Sequence, residues 1–535
     1  MKYDVIVVGA GIAGLTTAAF LSKEKKKVLL IEKEDYVGGL VNSFNRDGFL
    51  YDGGARGVVD SGVVKPMLKA LGIDIEFMKS KVSIGIENEI VKVETKDSLE
   101  NYQDMLKRIY PENVEDISRI IIEIKKVMDY MSVLYGIENP LFKDLKNDKE
   151  FLFKTLLPWV FRYLSKVRKI NKLQAPIDEY LLKMTSSQSL IDIISQHFFQ
   201  KTPASFALSY FSLYLDYEYP IKGMKDFPEK IKDYIIKNHG EIALSTKIRR
   251  IEPIEKLIYD EQGNSYSYDK LVWAADIKTL YDIVDLSKIS NKKILNGIEQ
   301  RQESLKQVKG SDSTFTLYLA LDIPSEYFGN ICTEHFFYTP SKKGQSEVFS
   351  KLQAVKESLD KVKVFEWLEE LLEFTTYEIS IPALRNKELS PQNKTGLIIS
   401  ILMDYDLVKK IKSIDIYEEF KEFCEVKMIK VLNDSIFDGI SDKIIHRFSS
   451  SQLSIERISG NLEGAITGFS FTNEEVLAIN KTSKITKSCL TKIPDILQAG
   501  QWTYIPSGVP ISILTGKIAA DKALKNIRRK DKKNE

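Results

Sequence analysis

The chain has 535 residues, 43% of them hydrophobic, enough to bury more than one core. Its 77 lysines and arginines almost cancel its 75 aspartates and glutamates, and the formal charge of +2 gives no bulk pull toward nucleic acid. Cys332, Cys424 and Cys489, like His197, His239, His335 and His446, are too scattered for a disulfide framework or a metal-ligand set, so a reducing compartment and no metal site are expected.

The first predicted element is a buried strand, the apolar run Val5, Ile6, Val7 and Val8, which stops at Gly9. Gly11 and Gly14 follow, then a helical stretch with a basic end at 23–27, then a second apolar run from Val28 to Ile31 closed by Glu32. Strand, glycine turn, helix, strand and terminal acid in this register predict a dinucleotide site. Gly9 makes the tight turn, Gly11 admits a pyrophosphate and Gly14 brings the helix against the strand. The helix start offers free N–H donors to phosphate, and Glu32 accepts from ribose hydroxyls. A signal peptide or membrane anchor is the competing reading of this apolar start. It is disfavoured by Asp4, by the glycine spacing and by a length short of the roughly 20 apolar residues a span needs. A cytoplasmic protein is expected.

The next blocks distinguish one dinucleotide from another. Gly38-Gly39 follows Lys33, and Gly48-Phe49-Leu50-Tyr51-Asp52-Gly53-Gly54 comes after it. Tyr219-Pro220-Ile221-Lys222-Gly223-Met224, the alternating run 242–251 and the strand-like 268–276 form further blocks, and the last runs from Ile496 through Gly500, Gly508 and Gly516 to Ala520. In these blocks the chain resembles the FAD-dependent phytoene desaturase-like oxidoreductases (carotenoid desaturase and retinol saturase-like), relatives of amine oxidases and protoporphyrinogen oxidase. It departs from their pattern at Leu40, where arginine is common, at Lys222, which replaces a glycine, and at Gln501, where an acid is frequent.

The resemblance implies an α/β protein in which a discontinuous Rossmann-type FAD-binding domain (1–80, 220–290 and 445–527) carries an α+β substrate domain inserted in two segments (81–219 and 291–444). It implies FAD contacts at Gly9, Gly11, Ala13, Gly14, Glu32, Lys33, Gly38, Gly39, Gly53, Gly54, Ala55, Ile248, Ala275, Gly500, Gln501, Gly508, Val509, Pro510 and Ile511. By period the first insertion is mostly helical, whereas the second carries strands at 314–321, 377–382 and 396–402. Residues 346–374 predict an amphipathic helix with Leu352, Val355, Leu359 and Val362 on one face, and 528–535 a frayed basic tail. Residues 151–169 combine bulky apolar side chains with Lys154, Arg162, Lys166, Arg168 and Lys169. They read either as a helix lying on an anionic membrane or as an ordinary core-facing helix.

The resemblance implies that a bound flavin carries the chemistry, and no nucleophile–base spacing or carboxylate pair stands out beside it. Arg56 and Asp52 lie beside the expected flavin-lining turn, and Trp502 and Tyr504 beside the closing loop. Arg56 holds either a substrate oxygen, a flavin phosphate or an internal acid, while Tyr504 either donates a proton or lines the pocket. The expected function is an FAD-dependent oxidoreductase that desaturates, saturates or isomerises C–C bonds of a hydrophobic isoprenoid, carotenoid-like or lipid substrate. An amine oxidase or protoporphyrinogen oxidase-like enzyme and a non-catalytic flavin-binding protein are the alternatives, the latter weakened by the intact Gly9, Gly11, Gly14 and Glu32.

Overall fold

Val5, Ile6 and Val7 are wholly buried because their strand, β1 (Lys2–Val8), lies inside a sheet rather than at its edge. It pairs in parallel with β2 (Val28–Ile31) on one side and with the strand Ser265–Trp273 on the other. The full order is Glu241–Ala243, β2, β1, Ser265–Trp273, Leu257–Asp260 and Ile248–Glu252, and Ile496–Gln498 joins Ser265–Trp273 in parallel. The computed structural model describes residues 2–475 and 477–534. Segments from both ends and the middle of the chain thus build one Rossmann-like sheet, the α/β arrangement expected.

Helix α1 (Ile12–Lys23) is buried from Ile12 through Ser22, which explains why it shows no apolar stripe in sequence. It packs against the closing helix Val509–Asn534 closely enough that a Cβ on Gly516 would sit 2.5 Å from the Ala13 carbonyl oxygen. Thr17 Oγ1 donates to Gly516 O at 3.0 Å and to Ala13 O at 2.8 Å. The first and last segments are therefore locked together behind the glycine turn. Residues 528–534 continue that helix instead of forming a separate tail, and Glu535 lies outside the described residues.

The second sheet runs Ile444–Ser450, Ser313–Leu321, Thr395–Met403, Tyr377–Ser380, His335–Thr339, Val82–Ile86 and Glu89–Val93. The three strands expected in the second insertion are present. Two features correct the expected layout. The first insertion supplies a hairpin, 82–93, whose Val82, Ile86, Val91 and Val93 are buried, as well as helices. Ile444–Ser450, assigned by sequence to the FAD-binding domain from 445 onward, pairs with Ser313–Leu321 and forms the edge of this second sheet.

The helix expected over 346–374 is broken into Ser346–Ser358 and Lys361–Phe374. Leu359 adopts a left-handed conformation (φ 47°) and Asp360 accepts from Val362 N and Lys363 N, ending one helix and starting the next. Leu352 and Val355 are buried, but Val362 is exposed, so the four residues do not share one buried face.

Residues 151–169 form a π-helical turn, Phe151–Leu156, and an α-helix, Leu157–Ile170. Trp159 faces the protein, donating from Nε1 to Val133 O at 2.6 Å and stacking on Tyr163. Phe153 and Phe161, in contrast, are 61% and 72% exposed, with Leu157 and Leu164 also exposed. One side of the arm thus packs on the protein core, while the other leaves large apolar side chains exposed. Among the described residues, no helix is long and apolar enough to cross a membrane.

Candidate active site

The C-terminal ends of β1 and β2 open into a cavity of about 1440 Å³ whose other wall is the second sheet. Strand ends of a parallel sheet are where such folds place ligands. The glycine turn is shaped by the backbone around it. A Cβ on Gly14 would lie 1.8 Å from Gly9 O, and one on Gly9, which has φ 99°, would lie 2.7 Å from Ala274 O. Gly11 is different, because a Cβ there meets nothing within 4 Å. It caps α1 without any side-chain hydrogen bond, leaving the first-turn N–H groups available beside the cavity.

Glu32 ends β2 on the cavity wall. Its Oε2 accepts from Ala10 N at 2.7 Å and its Oε1 from Glu34 N at 3.1 Å. Burial pushes this carboxyl above its usual range, against the pull of those two N–H groups. Each oxygen keeps a further lone pair for a ligand hydroxyl. Gly38 and Gly39 also line the cavity, but their backbone demands are internal: Gly38 N donates to Ala10 O at 2.8 Å, and a Cβ on Gly39 would lie 3.3 Å from Gly11 Cα. The pair thus holds the first glycine loop as well as flanking the cavity.

Ala13, Lys33, Ile248 and Ala275 line this same cavity, as do Gly53, Gly54, Ala55, Gly500, Gln501, Gly508 and Val509 farther along the chain. Gly14, Pro510 and Ile511 are not part of its wall; Gly14 is consumed by packing against Gly9, and Ile511 packs against the core beneath. Trp502 is on the wall, edge-on to Phe469 at 5.0 Å, and its Nε1 has no hydrogen-bond partner among the described residues. Tyr504 is not on the wall. Its hydroxyl lies 3.2 Å from Thr482 Oγ1, and burial raises its pKa, so the expected proton-donor or pocket-lining role does not hold.

Arg56 is committed to an internal acid. Its Nη1 lies 3.3 Å from Glu378 Oε2 and donates to Glu378 O at 3.2 Å, while Nη2 donates to Ser400 Oγ. Ser400 Oγ in turn sits 2.5 Å from Thr316 Oγ1, and His335 Nε2 lies 3.1 Å from Glu378 Oε1. Strand register explains the cluster: Thr316 is directly opposite Ser400, and Ser400 directly opposite Glu378, so three adjacent strands lay a polar row on one face. All four residues and Arg56 line the cavity.

Burial alone would raise the Glu378 pKa, but Arg56, His335 and Arg385 outweigh it and hold the carboxyl down at about 2. Burial pushes His335 the other way, below its usual value, despite the adjacent carboxylate. The group at neutral pH is thus an Arg56–Glu378 ion pair beside an uncharged imidazole. Asp52 is separate: wholly buried, it accepts from Ser43 Oγ at 2.7 Å and Tyr219 OH at 3.0 Å, and fixes the turn rather than facing the cavity.

The remaining wall is aromatic. Tyr318 and Phe448 stack at 4.8 Å with Phe44 edge-on, and Tyr210, Tyr217 and Phe337 come from other segments. Sequence reading missed this lining and the polar row. The signal for the row was Thr314/Thr316, Glu378/Ser380 and Ser400 standing at two-residue spacing in otherwise apolar strands.

Residues 7–71 match the family model of an NAD(P)-binding Rossmann-like domain. A 4,4'-diapophytoene desaturase (4,4'-diaponeurosporene-forming) of Staphylococcus aureus strain COL is 22% identical over 98% of this chain and 99% of its own length. An inactive all-trans-retinol 13,14-reductase of Danio rerio is 23% identical, a match that spans 63% of this chain but only 56% of that protein. The cyclohexylamine oxidase of Brevibacterium oxydans IH-35A shares the fold at a TM-score of 0.60, with 12% identity over 99% of this chain and all of its own. With the Rossmann-like sheet and the cavity at its strand ends, these likenesses fit the resemblance to phytoene desaturase-like oxidoreductases read from the sequence.

Proposed function

We propose that the protein binds FAD and transfers hydride to or from a C–C bond of a hydrophobic isoprenoid or lipid-like substrate. One observation carries this reading: a single cavity joins the dinucleotide cradle at Gly11 and Glu32 to an aromatic chamber at the second sheet. Its volume exceeds the roughly 300–1,000 Å³ of an ordinary small-ligand pocket, leaving room for a cofactor and a second molecule. The cradle fits FAD on its own chemistry, with open space at Gly11, uncapped N–H groups for phosphate and a half-buried acid for ribose. Bound FAD supplies a two-electron hydride acceptor or donor.

The chain's residues do the positioning. The α1 N-terminus and Gly11 would hold the pyrophosphate, Glu32 would hold the ribose, and Gly508 and Val509 at the start of the closing helix would line the remainder of the cofactor site. Tyr318, Phe448, Phe337 and Tyr217 keep water from the reacting bond and pack an apolar chain. An amine substrate is disfavoured by Glu378, the acid on the chamber wall, because Arg56 already neutralises it and would repel an ammonium. Anaerobic mixing of the flavin-loaded protein with apolar polyenes and with aliphatic amines tests the choice. Flavin bleaching by a polyene supports it; bleaching by amines alone overturns it.

We infer also that the helical arm 151–170 docks on anionic lipid. Phe153, Leu157, Phe161 and Leu164 recur at intervals of three and four residues and are exposed, and Lys154, Arg162 and Lys169 belong to the same arm. Sedimentation with phosphatidylglycerol vesicles, lost on Phe161→Asp and reduced by salt, is the expected result. Equal recovery with phosphatidylcholine vesicles, or no effect of the substitution, refutes it.

A further inference from the structure

We propose that the substrate carries an uncharged oxygen function, a hydroxyl or carbonyl, that docks against the polar row Thr316–Ser400–Glu378 and His335. The inference deepens the proposed function and rests on it. A pure hydrocarbon asks nothing of a chamber wall but apolar surface, yet four strands here turn polar side chains inward. Such groups are costly beneath a hydrocarbon unless each finds a partner.

The row is incompletely satisfied within the protein. His335 is 1% exposed and stands on the cavity wall, yet its Nδ1 has no hydrogen-bond partner among the described residues. Arg56 Nε, on the other side of Glu378, is buried and lacks one too. Both unmet groups flank one carboxylate, which leaves them ready for an oxygen that donates, accepts or does both.

Charge decides what kind of oxygen. Arg56 and Glu378 cancel, Arg385 behind them is matched by Asp52 and Glu334, and burial keeps His335 neutral, so the row has no net charge to offer. A carboxylate would confront Glu378 with no cation in excess, and an ammonium would confront Arg56. A hydroxyl or carbonyl introduces neither cost. Tyr217 and Phe337, edge-on and tilted against the His335 ring at 5.2 and 5.0 Å, leave an apolar approach for the attached chain.

The test compares farnesol, farnesoic acid and farnesene as probes of one chain type with three ends. Each is titrated into the flavin-loaded protein with intrinsic tryptophan fluorescence as the readout, Trp273 and Trp502 being on the cavity wall. Flavin content is measured first, so absence of FAD overturns the cofactor reading, whereas the ligand comparison judges this inference. Farnesol is expected to bind about tenfold more tightly than farnesene, the effect of a net hydrogen bond or two, and more tightly than farnesoic acid. His335→Phe should bring farnesol and farnesene together without weakening farnesene. Thr316→Val, nearly isosteric, should shrink the preference in the same direction and guards against misfolding of the first variant. Farnesene binding as well as farnesol, farnesoic acid binding best, a preference that survives both substitutions, or no binding of any probe to the flavin-loaded protein each overturns the proposal.

Discussion

Gly11→Ala and Gly14→Ala are the same chemical change three residues apart, and the structure assigns them opposite consequences. At Gly14 the new methyl would lie 1.8 Å from Gly9 O and 3.3 Å from Ala274 Cβ, so α1 must move off β1. Overpacking of this kind costs about 1–3 kcal/mol, and a backbone atom cannot swing aside as a side chain can. At Gly11 φ is −66° and no atom lies within 4 Å, so alanine fits without a clash; the about 0.4–1 kcal/mol gained by restricting the unfolded chain is offset by its poorer N-capping of α1. Its methyl occupies the space where a pyrophosphate would approach the α1 N-terminus. The same overpacking cost then falls on binding, weakening FAD by about 5- to 150-fold. Thermal unfolding of the flavin-free proteins should place Gly11→Ala near wild type and Gly14→Ala below it. FAD titration followed by flavin fluorescence should show the loss in Gly11→Ala. If Gly11→Ala binds FAD as wild type does, the cradle is not where the phosphates sit.

Glu32→Ala should weaken FAD by about 1–3 kcal/mol, the scale for a lost charged acceptor, measured in the same titration. Tyr504→Phe should leave turnover unchanged, since its hydroxyl meets Thr482 away from the cavity, whereas Trp502→Ala should alter turnover more than FAD affinity. His197 is half-buried on the cavity wall and desolvation pushes its pKa down to about 4, so the unfolded state takes up a proton first; stability should therefore fall as pH drops from about 6.5 toward 4. His197→Gln should flatten that part of the pH–stability curve in urea unfolding, and an unchanged slope would show that other groups dominate. NADPH should not reduce the flavin at a saturable rate in stopped flow, because only one complete glycine fingerprint exists in the chain.

The cradle was legible because its parts are contiguous: β1, α1, β2 and Glu32 occupy one short stretch, and Gly9 and Gly14 there answer to neighbours only a few residues or one strand away. The strands at 313–321 and 395–403 were legible for a related reason, as long runs of β-branched and apolar residues. The hairpin 82–93 was hidden because it is short and stands before a long helical region. The break at Leu359 was hidden because period alone does not weigh Asp360 as an N-cap. The polar row was hardest to read, since Thr316, His335, Glu378 and Ser400 meet only through strand pairing. Tyr504 failed for the opposite reason. It is near Trp502 in sequence, but the closing loop turns the two side chains in different directions, toward Thr482 and toward the cavity.

The central claim is that one cavity holds FAD along the Gly11–Glu32 cradle. Denaturing the purified protein and identifying the released flavin by mass spectrometry tests it most directly. FAD, and not FMN, is the expected product, regained when the stripped protein is incubated with FAD. A colourless protein that added FAD does not reconstitute would contradict the account.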